Sequence, residues 1–286
     1  MAKLTRLFGH SRSTDAAVDG AYYAETTERR IVAPHAHLCA ITDVGRERDH
    51  NEDTFALAEE GRLLIVADGL GGHAAGEVAS ALAVDTLVEY LAGERLNAVD
   101  RGEAEIETVL IAAFEEADVQ VREAAQSGQG RQGMGTTLIA AWIQGDRLHT
   151  CHVGDVRCYL RNAEGLRALT QDHSVVGLLL RAGELTPEEA QGHPEKGTIL
   201  QAIGMPMVLT PEVHSIPLHA GDLVLLCSDG LWEALSDEEI STILAWEGSM
   251  RQRATQLVDR ANEAGGPDNI TVVLYEHLAR EGQSNG

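Results

Sequence analysis

One stretch of the sequence, residues 63–73, constrains the fold more than any other. It opens with four large apolar residues, two of them β-branched, which indicates a buried strand. The run continues into Asp68 and then into three glycines within four positions, so the strand ends in a loop with unusual backbone angles. Gly69 lacks a Cβ, which lets its carbonyl approach a small cation beside the carboxylate. The stretch therefore predicts half of a metal site.

The same arrangement recurs at other predicted strand ends. On its own, an Asp-Gly pair is more typical of a hairpin turn than of a metal site. Here, however, acids adjoin several separate apolar runs, and we expect short acids at the mouths of several strands to converge. The further candidates are Glu52, Asp53, Asp155, Asp172, Asp229 and Asp268.

The composition limits the size and the partners of the protein. A chain of 286 residues with 44% hydrophobic residues can fill the core of one large domain. The formal net charge of −23 disfavours nucleic acid and anionic membranes, because both bind basic surfaces. No apolar run approaches the ~18 residues of a membrane span, and the N-terminus lacks the apolar core of a signal peptide. The four cysteines lack metal-ligand spacing, so we expect reduced thiols and a cytoplasmic location.

The order of the predicted elements indicates an α+β fold. Short turns join predicted strands into antiparallel pairs, and two long amphipathic helices are predicted over Glu77–Leu91 and Glu103–Ala125. We therefore predict two stacked antiparallel β-sheets flanked by pairs of helices, an αββα sandwich with one helical insertion. The predicted parts are a flexible leader (1–35), a catalytic domain (36–278) with its insertion at about 174–203, and a tail (279–286).

The residue types favour hydrolysis of a phosphoester with Mg²⁺ or Mn²⁺. Carboxylates without a cluster of thiolates or histidines select these hard cations over Zn²⁺. Two such ions about 4 Å apart can activate a water molecule and hold an anion. Arg46 and Arg48 lie on the loop before Glu52 and are candidates for binding the phosphate, since a guanidinium pairs with it in a bidentate way. The alternative is that these arginines only keep the loop solvated.

Other catalytic classes fit the sequence less well. It contains neither a Gly-x-x-x-x-Gly-Lys-Ser/Thr loop nor a Gly-x-Ser-x-Gly motif. Cys151, Gly154 and Arg157 match the Cys-x-x-Gly-x-x-Arg spacing of thiolate-dependent phosphatases. The residues after Arg157 have the pattern of a strand, however, so no helix N-terminus would face the thiol and lower its pKa. Cys151 is therefore an alternative nucleophile that the sequence disfavours.

Seven motifs lie in order along the chain: Thr42–Gly45, Arg48 with Asn51–Asp53, Asp68–His73, Gly133–Thr137, Gly154–Arg157, Ser228–Trp232 and Asp268–Thr271. Together they resemble the metal-dependent serine/threonine protein phosphatases of the 2C family, also called PPM, in its compact bacterial form. The resemblance spans residues 37–277, and seven ordered motifs are far more specific than any one. Two positions depart from the usual pattern: Val156 replaces a serine, and Gln201 stands where an arginine is frequent. Neither change removes an expected metal ligand.

The resemblance implies distinct roles for the acids. Two ions are expected in the core site, and Glu52 is expected to hold metal-bound water. Asp155 resembles, together with Asp229, the ligands of a weaker third ion. The implied core ligands are Asp68, which bridges the two ions, the Gly69 carbonyl on one of them, and Asp229 and Asp268 on the other.

The resemblance also implies how the substrate is handled. Arg48 resembles the phosphate-binding arginine, His73 resembles the general acid for the leaving oxygen, and the insertion corresponds to a flap that borders the substrate groove. The implied reaction is direct in-line attack of metal-activated water on a phosphoserine or phosphothreonine ester, without a covalent phosphoenzyme. We therefore expect phosphoprotein substrates, an opposing bacterial serine/threonine kinase, and a monomeric protein.

A rival hypothesis is a metal-binding regulatory or scaffold protein that has the same fold and acts by binding a partner. The clustered acids count against it, because like charges held together are costly and a scaffold has no need of them. A turnover assay separates the two hypotheses.

Overall fold

The structure is a computed structural model that describes residues 22–24, 29–72, 74–102, 104–127 and 133–279. These ranges contain twelve strands and eight α-helices, besides a short 3-10 turn at Glu59–Gly61. The strands are β1 (Tyr22–Ala24), β2 (Arg30–His35), β3 (Leu38–Asp43), β4 (Asp53–Ala58), β5 (Leu63–Leu70), β6 (Gly135–Gln144), β7 (Arg147–Val153), β8 (Arg157–Asn162), β9 (Gly165–Ala168), β10 (Glu212–Pro217), β11 (Leu223–Cys227) and β12 (Ile270–Glu276). The helices are α1 (Ala74–Leu91), α2 (Glu94–Asp100), α3 (Ile106–Gln126), α4 (Val175–Ala182), α5 (Pro187–Gln191), α6 (Asp229–Trp232), α7 (Asp237–Ala245) and α8 (Met250–Glu263).

The strands form two six-stranded antiparallel sheets that pack face to face. The first sheet has the order β1-β4-β5-β6-β7-β10, and the second has the order β2-β3-β12-β11-β8-β9. Helices α1 and α3 cover the outer face of the first sheet, and α7 and α8 cover that of the second. The predicted αββα sandwich is confirmed. In the described part of the chain, no helix has the length and apolar character needed to cross a membrane.

Strand β5 shows why the apolar run at residue 63 is continuous. Successive side chains of a strand point to opposite faces, so Leu63 and Ile65 enter the core under α1 and α3. Leu64 and Val66 enter the core between the sheets. Burial of each large aliphatic side chain contributes about 1.5–3 kcal/mol, so truncation of Ile65 to alanine should cost about 2–5 kcal/mol.

The first strands overlap the predicted flexible leader. Arg30–His35 forms β2 and pairs with β3, and Tyr22–Ala24 pairs with β4. Strand β2 is ordered because Val32 packs between the sheets and Ile31 packs against the core under α7 and α8. The sheet structure therefore begins before residue 36. Most of the rest of the predicted leader, and residues 280–286 of the predicted tail, lie outside the described residues.

The predicted helical insertion is present between β9 and β10. It contains α4 and α5, and its two ends meet at its base, where Ser174 bridges to Ile199 and the Leu200 N–H donates to the His173 carbonyl at 2.7 Å. The Ser174 side chain also caps α4 by accepting a hydrogen bond from the Gly177 N–H at 3.0 Å. We call residues 174–203 the flap. Its base is tied to the sandwich, so it projects from a fixed point.

Candidate active site

A cleft at the ends of several strands brings together all the residues that the family resemblance implies as metal ligands. It has a volume of ≈ 180 Å³, and two flap residues, Gly197 and Ile199, form part of its wall. The predicted residues reach it from five separate segments of the chain: Glu52 before β4, Asp68 and Gly69 in β5, Asp155 after β7, Asp229 at the start of α6, and Asp268 before β12.

Asp229 carries the clearest sign that a group is needed in the cleft. Its Oδ1 is enclosed by protein and has no hydrogen-bond partner among the described residues. An enclosed carboxylate oxygen without a donor is costly. A divalent cation would satisfy this oxygen, and the oxygen-only set of donors fits Mg²⁺ or Mn²⁺.

The charges in the cleft repel one another. Loss of solvation, followed by the charges of Asp229, Asp53, Asp155 and Asp268, raises the pKa of Asp68 well above its ordinary value. Loss of solvation and the charges of Asp229 and Asp172 likewise raise the pKa of Asp155. The pKa of Asp229 rises to about 7 by loss of solvation and by the nearby Asp268 and Glu233. Bound cations would reverse this repulsion.

Two glycines allow the segments of the cleft to touch. A Cβ on Gly69 would lie 2.7 Å from the Glu52 carbonyl and would overlap the backbone of Gly76. A Cβ on Gly76 would in turn overlap the Glu52 carboxylate. Gly69 also donates its N–H to the Glu52 carbonyl at 3.2 Å. Glycine is therefore required at both positions by close approach.

Asn269 organises the loops around the cleft, a role that the sequence analysis did not assign. Its Oδ1 accepts a hydrogen bond from the Glu52 N–H at 2.7 Å. Its Nδ2 donates to the carbonyls of Val44 and His50, at 2.9 Å each. One side chain thus holds the loop of Glu52 and Arg48 against the loop of Asp268. Its place between Asp268 and β12 was visible in the sequence, but its partners were not.

Arg48 lies at the cleft, and Arg46 is not among the residues that line it. The Arg48 Nη2 donates to Asp268 Oδ2 at 2.6 Å, and its Nε donates to the Pro267 carbonyl at 3.4 Å. About half of the Arg48 side chain, 49%, remains exposed. The guanidinium is therefore held beside the acids while remaining accessible to an anion from solvent.

Asp155 is positioned by Trp232, which in turn packs against the ion pair of Arg157 and Asp172. The Trp232 Nε1 donates to the Asp155 carbonyl at 3.0 Å, and the Arg157 guanidinium stacks over the Trp232 ring at 3.6 Å. Arg157 also makes a bidentate pair with Asp172, at 2.9 and 2.7 Å. Asp172 was grouped with the converging acids from the sequence. That grouping was wrong for Asp172, because its carboxylate neutralises Arg157 and it is not among the residues that line the cleft.

Asp53 lies behind the cleft. It pairs in register with Asp68 across β4 and β5, and it is almost fully buried. Ser228 Oγ donates to its Oδ2 at 2.7 Å. Burial, opposed by hydrogen bonds from Ser228 and Thr271 and assisted by the charges of Asp229 and Asp268, raises its pKa to about 7. Asp53 therefore adds to the negative field of the site from outside the cleft lining.

The environment of Cys151 is unsuited to a thiolate nucleophile. It lies in the middle of the β7 pairing and faces the apolar core under α1 and α3. Burial raises the pKa of the Cys151 thiol, and Arg157, which the motif would need, is engaged by Asp172. All four cysteines of the chain are buried free thiols.

His73, which was predicted as the general acid, lies outside the described residues.

Comparisons with known proteins agree with this geometry. The sequence model of the family described as Protein phosphatase 2C matches residues 45–274. The serine/threonine phosphatase stp of Listeria welshimeri is 41% identical over 246 residues, which cover 85% of this chain and 96% of that protein.

Solved structures are similar over most of the chain. The Mycobacterium tuberculosis serine/threonine phosphatase PstP/Ppp is 34% identical with a TM-score of 0.75, covering 91% of this chain and 99% of that one. The PstP catalytic domain in complex with two manganese ions is also 34% identical, with a TM-score of 0.73 and the same coverage.

Proposed function

The chain belongs to the protein phosphatase 2C family and is a serine/threonine protein phosphatase that depends on Mn²⁺ or Mg²⁺, and we propose that the carboxylate cleft is where it acts. The observation that carries this proposal is the convergence of five acids from five chain segments, one of which, Asp229, has an Oδ1 without a hydrogen-bond partner among the described residues. Such crowding is unfavourable unless cations bind.

We assign the residues of the cleft as follows. Asp68 would contact two ions, the Gly69 carbonyl one of them, and Asp229 and Asp268 the other. Asp155 would join Asp229 at a third, weaker position, and Glu52 would orient water in the cleft. When bound, divalent cations supply Lewis-acid activation of water and neutralise charge on the phosphoryl group.

Arg48 is the proposed phosphate-binding residue. Its exposed guanidinium presents donors that match the oxygens of a phosphate dianion. The chain carries a formal net charge of −23, so a fixed cation at the cleft mouth favours entry of the anion locally. Asp268 orients the guanidinium through the 2.6 Å contact. The general acid is proposed to be His73.

The proposed substrates are phosphoserine and phosphothreonine in proteins, which must be supplied by an opposing serine/threonine kinase. The flap residues Gly197 and Ile199 line the cleft, where they can contact the substrate's polypeptide on either side of its phosphorylated residue. This placement supports a protein substrate.

We propose that the protein acts as a monomer in the cytoplasm. Its four buried free thiols suit a reducing compartment.

We propose domain limits near residues 22 and 278, with the flap at 174–203. The first limit lies before the predicted residue 36 because β1 pairs with β4 and β2 pairs with β3. A variant that begins at residue 36 should therefore melt at a lower temperature than one that begins at residue 22.

The reaction is proposed to be direct attack of water at phosphorus. A phosphothreonine peptide should be hydrolysed with Mn²⁺ and not in excess chelator. A chiral thiophosphoryl substrate should give product with inverted configuration. Retention of configuration would indicate a covalent phosphoenzyme, and activity that survives chelator but is lost with iodoacetamide would assign the reaction to a cysteine.

A further inference from the structure

A second group of metal-binding side chains lies at the base of the flap. It contains His152 of β7, His173 just before α4 and Glu212 at the start of β10. One potential ligand atom from each lies within 4.8 Å of the other two. None of the three lines the carboxylate cleft. We call these three residues the histidine cluster; His214 stands beside it, with its Nε2 3.0 Å from Glu212 Oε1.

The pairing of two strands builds this cluster. Glu212 lies directly opposite His152 in the antiparallel register of β10 and β7. The neighbouring residues Cys151 and Val213 face the core under α1 and α3, so alternation along each strand directs His152 and Glu212 to the other side of the sheet. The positions of His152 and Glu212 are therefore set by the pairing of two strands.

His152 has the orientation of a ligand. Its Nε2 lies 2.9 Å from the Gln171 carbonyl, which can only accept, so the ring proton is on Nε2 and the Nδ1 lone pair is free. The side chain is 0% exposed, and its Nδ1 has no hydrogen-bond partner in the described ranges. Metal-bound histidines usually donate their other ring N–H to a carbonyl or carboxylate in this manner.

We propose that His152 Nδ1, His173 Nε2 and the Glu212 carboxylate bind one divalent ion of the class that prefers imidazole, with Zn²⁺ as its representative. Two histidines and a glutamate are a known ligand set for Zn²⁺, and hard cations prefer oxygen alone. The His173 Nε2 to Glu212 Oε2 distance of 3.3 Å equals the edge of a tetrahedron of ligands at about 2.0–2.1 Å from the ion.

Protons must rearrange when the ion binds. Burial lowers the pKa of His152 to about 4 and also lowers the pKa of His173, so both rings are neutral at pH 7. His173 Nδ1 accepts from the Gly154 N–H at 3.3 Å, which places its ring proton on Nε2, towards Glu212. An ion at Nε2 would move that proton to Nδ1 and end the contact with Gly154.

Binding would strengthen the existing attachment of the flap base to the sheet. The His173 carbonyl accepts from the Leu200 N–H at 2.7 Å, and its N–H donates to the Gly154 carbonyl at 2.8 Å. An ion held by His152, His173 and Glu212 would link β7 and β10 to both ends of the flap. The amide of Leu200 should then exchange hydrogen more slowly.

The test is a calorimetric Zn²⁺ titration of the whole protein in excess Mg²⁺, which occupies the carboxylate cleft and avoids imidazole. We expect one Zn²⁺ per chain. Glu212→Gln, at a half-buried position on an edge strand, should weaken this binding by at least about 10-fold, and His152→Gln should do the same. The matched control is His149→Gln. His149 is also buried on β7, but it lies on the opposite face of the strand from His152 and outside the histidine cluster, so Zn²⁺ uptake should persist.

Two further measurements separate the cluster from the cleft. The same titration in Asp229→Asn should still show the Zn²⁺ site, and Zn²⁺ should slow exchange at Leu200 in the parent protein but not in Glu212→Gln. Co²⁺ in place of Zn²⁺ should give the strong visible bands of a tetrahedral ion with nitrogen ligands. If the protein binds no Zn²⁺ in excess Mg²⁺, the proposal is overturned. Uptake that survives Glu212→Gln but not Asp229→Asn would overturn it too.

Discussion

The carboxylate cleft and the histidine cluster both draw residues from β7 or the turn after it, yet they treat charge in opposite ways. In the cleft, acids of one sign are crowded together, and burial and repulsion raise the pKa values of Asp68, Asp155 and Asp229. In the cluster, burial lowers the pKa of His152, so its ring stays neutral. The cleft is therefore destabilising until cations arrive, whereas the cluster is tolerated without one.

The two regions also differ in how they are built. The acids of the cleft stand at strand ends and in loops, where glycines and Asn269 bring five chain segments together. The histidine cluster is set largely by the register of two strands. Hard oxygen donors at strand ends that border a cleft suit ions that must bind substrate. Nitrogen donors on paired strands suit an ion that stays in place.

The largest expected effect is the loss of turnover on removing the charge of either Asp68 or Asp229 in the cleft. Asp68→Asn and Asp229→Asn should each abolish turnover on a phosphothreonine peptide, because each removes charge that the cations require. The control is Asp237→Asn at the exposed start of α7, which should leave kcat unchanged. Near-normal turnover of Asp68→Asn in saturating Mn²⁺ would contradict the assignment of the cleft.

A smaller, substrate-dependent effect is expected at Asp155. An alkyl phosphate needs a proton on its leaving oxygen, a contribution of about 10²–10⁴-fold, whereas p-nitrophenolate leaves without one. Asp155 would hold the third position, which could orient a water to protonate that oxygen. Asp155→Ala should therefore lose on the order of 10²-fold in kcat on a phosphothreonine peptide and far less on p-nitrophenyl phosphate. Both substrates should be measured across a Mn²⁺ titration, with metal stoichiometry by calorimetry. Equal losses, or loss of two tightly bound ions, would place Asp155 in the core site.

Arg48→Ala should act mainly through binding. A hydrogen bond to a charged group contributes about 1.5–3 kcal/mol, so KM should rise by about 10-fold or more while kcat falls less. Arg46→Ala is the matched control on the same loop and should leave KM unchanged, because Arg46 is not among the cleft-lining residues. If Arg46→Ala raises KM and Arg48→Ala leaves it unchanged, the phosphate is bound by Arg46.

The smallest effect is a pH dependence of stability that distinguishes the two regions. Raised carboxylate pKa values mean that the folded protein binds more protons than the unfolded chain, so stability is lost as pH rises through the folded values, about 7 for Asp53 and Asp229. A lowered histidine pKa acts oppositely, and stability is lost as pH falls from 6.5 towards about 4 for His152.

In chelator, the free energy of unfolding should therefore fall between pH 6.5 and 8, by at least about 1 kcal/mol. Saturating Mn²⁺ should remove this slope, and Asp229→Asn should melt higher than the parent protein in chelator. Thermal melts at several pH values provide the measurement. A flat profile in chelator would mean that the acids do not repel one another as described.

Much of the fold and of the cleft was readable from the sequence because local patterns encode them. The apolar run at β5 marks a strand buried on both faces, and acids beside glycines mark its functional end. Helix α2 was missed because seven residues give too little periodicity, and its Leu96 and Val99 are explained only by packing. Strand β2 was read as leader because its order depends on pairing with β3.

Side-chain partners over long sequence distances were not readable. Asp172 resembles the metal-binding acids in its local sequence, but its role depends on Arg157 at the start of β8. The histidine cluster was not predicted, since His152 and Glu212 are 60 positions apart in the sequence. Only the register of β7 and β10 brings them together.

The burial of Cys151 has a consequence for the conditions under which the protein can work. Peroxides attack thiolates, and exposed cysteines of low pKa are the ones oxidised first. All four thiols here are enclosed, and burial raises the pKa of each. A phosphatase that relies on a thiolate is switched off when a cell meets an oxidant. This protein is expected to keep removing phosphate through such an episode.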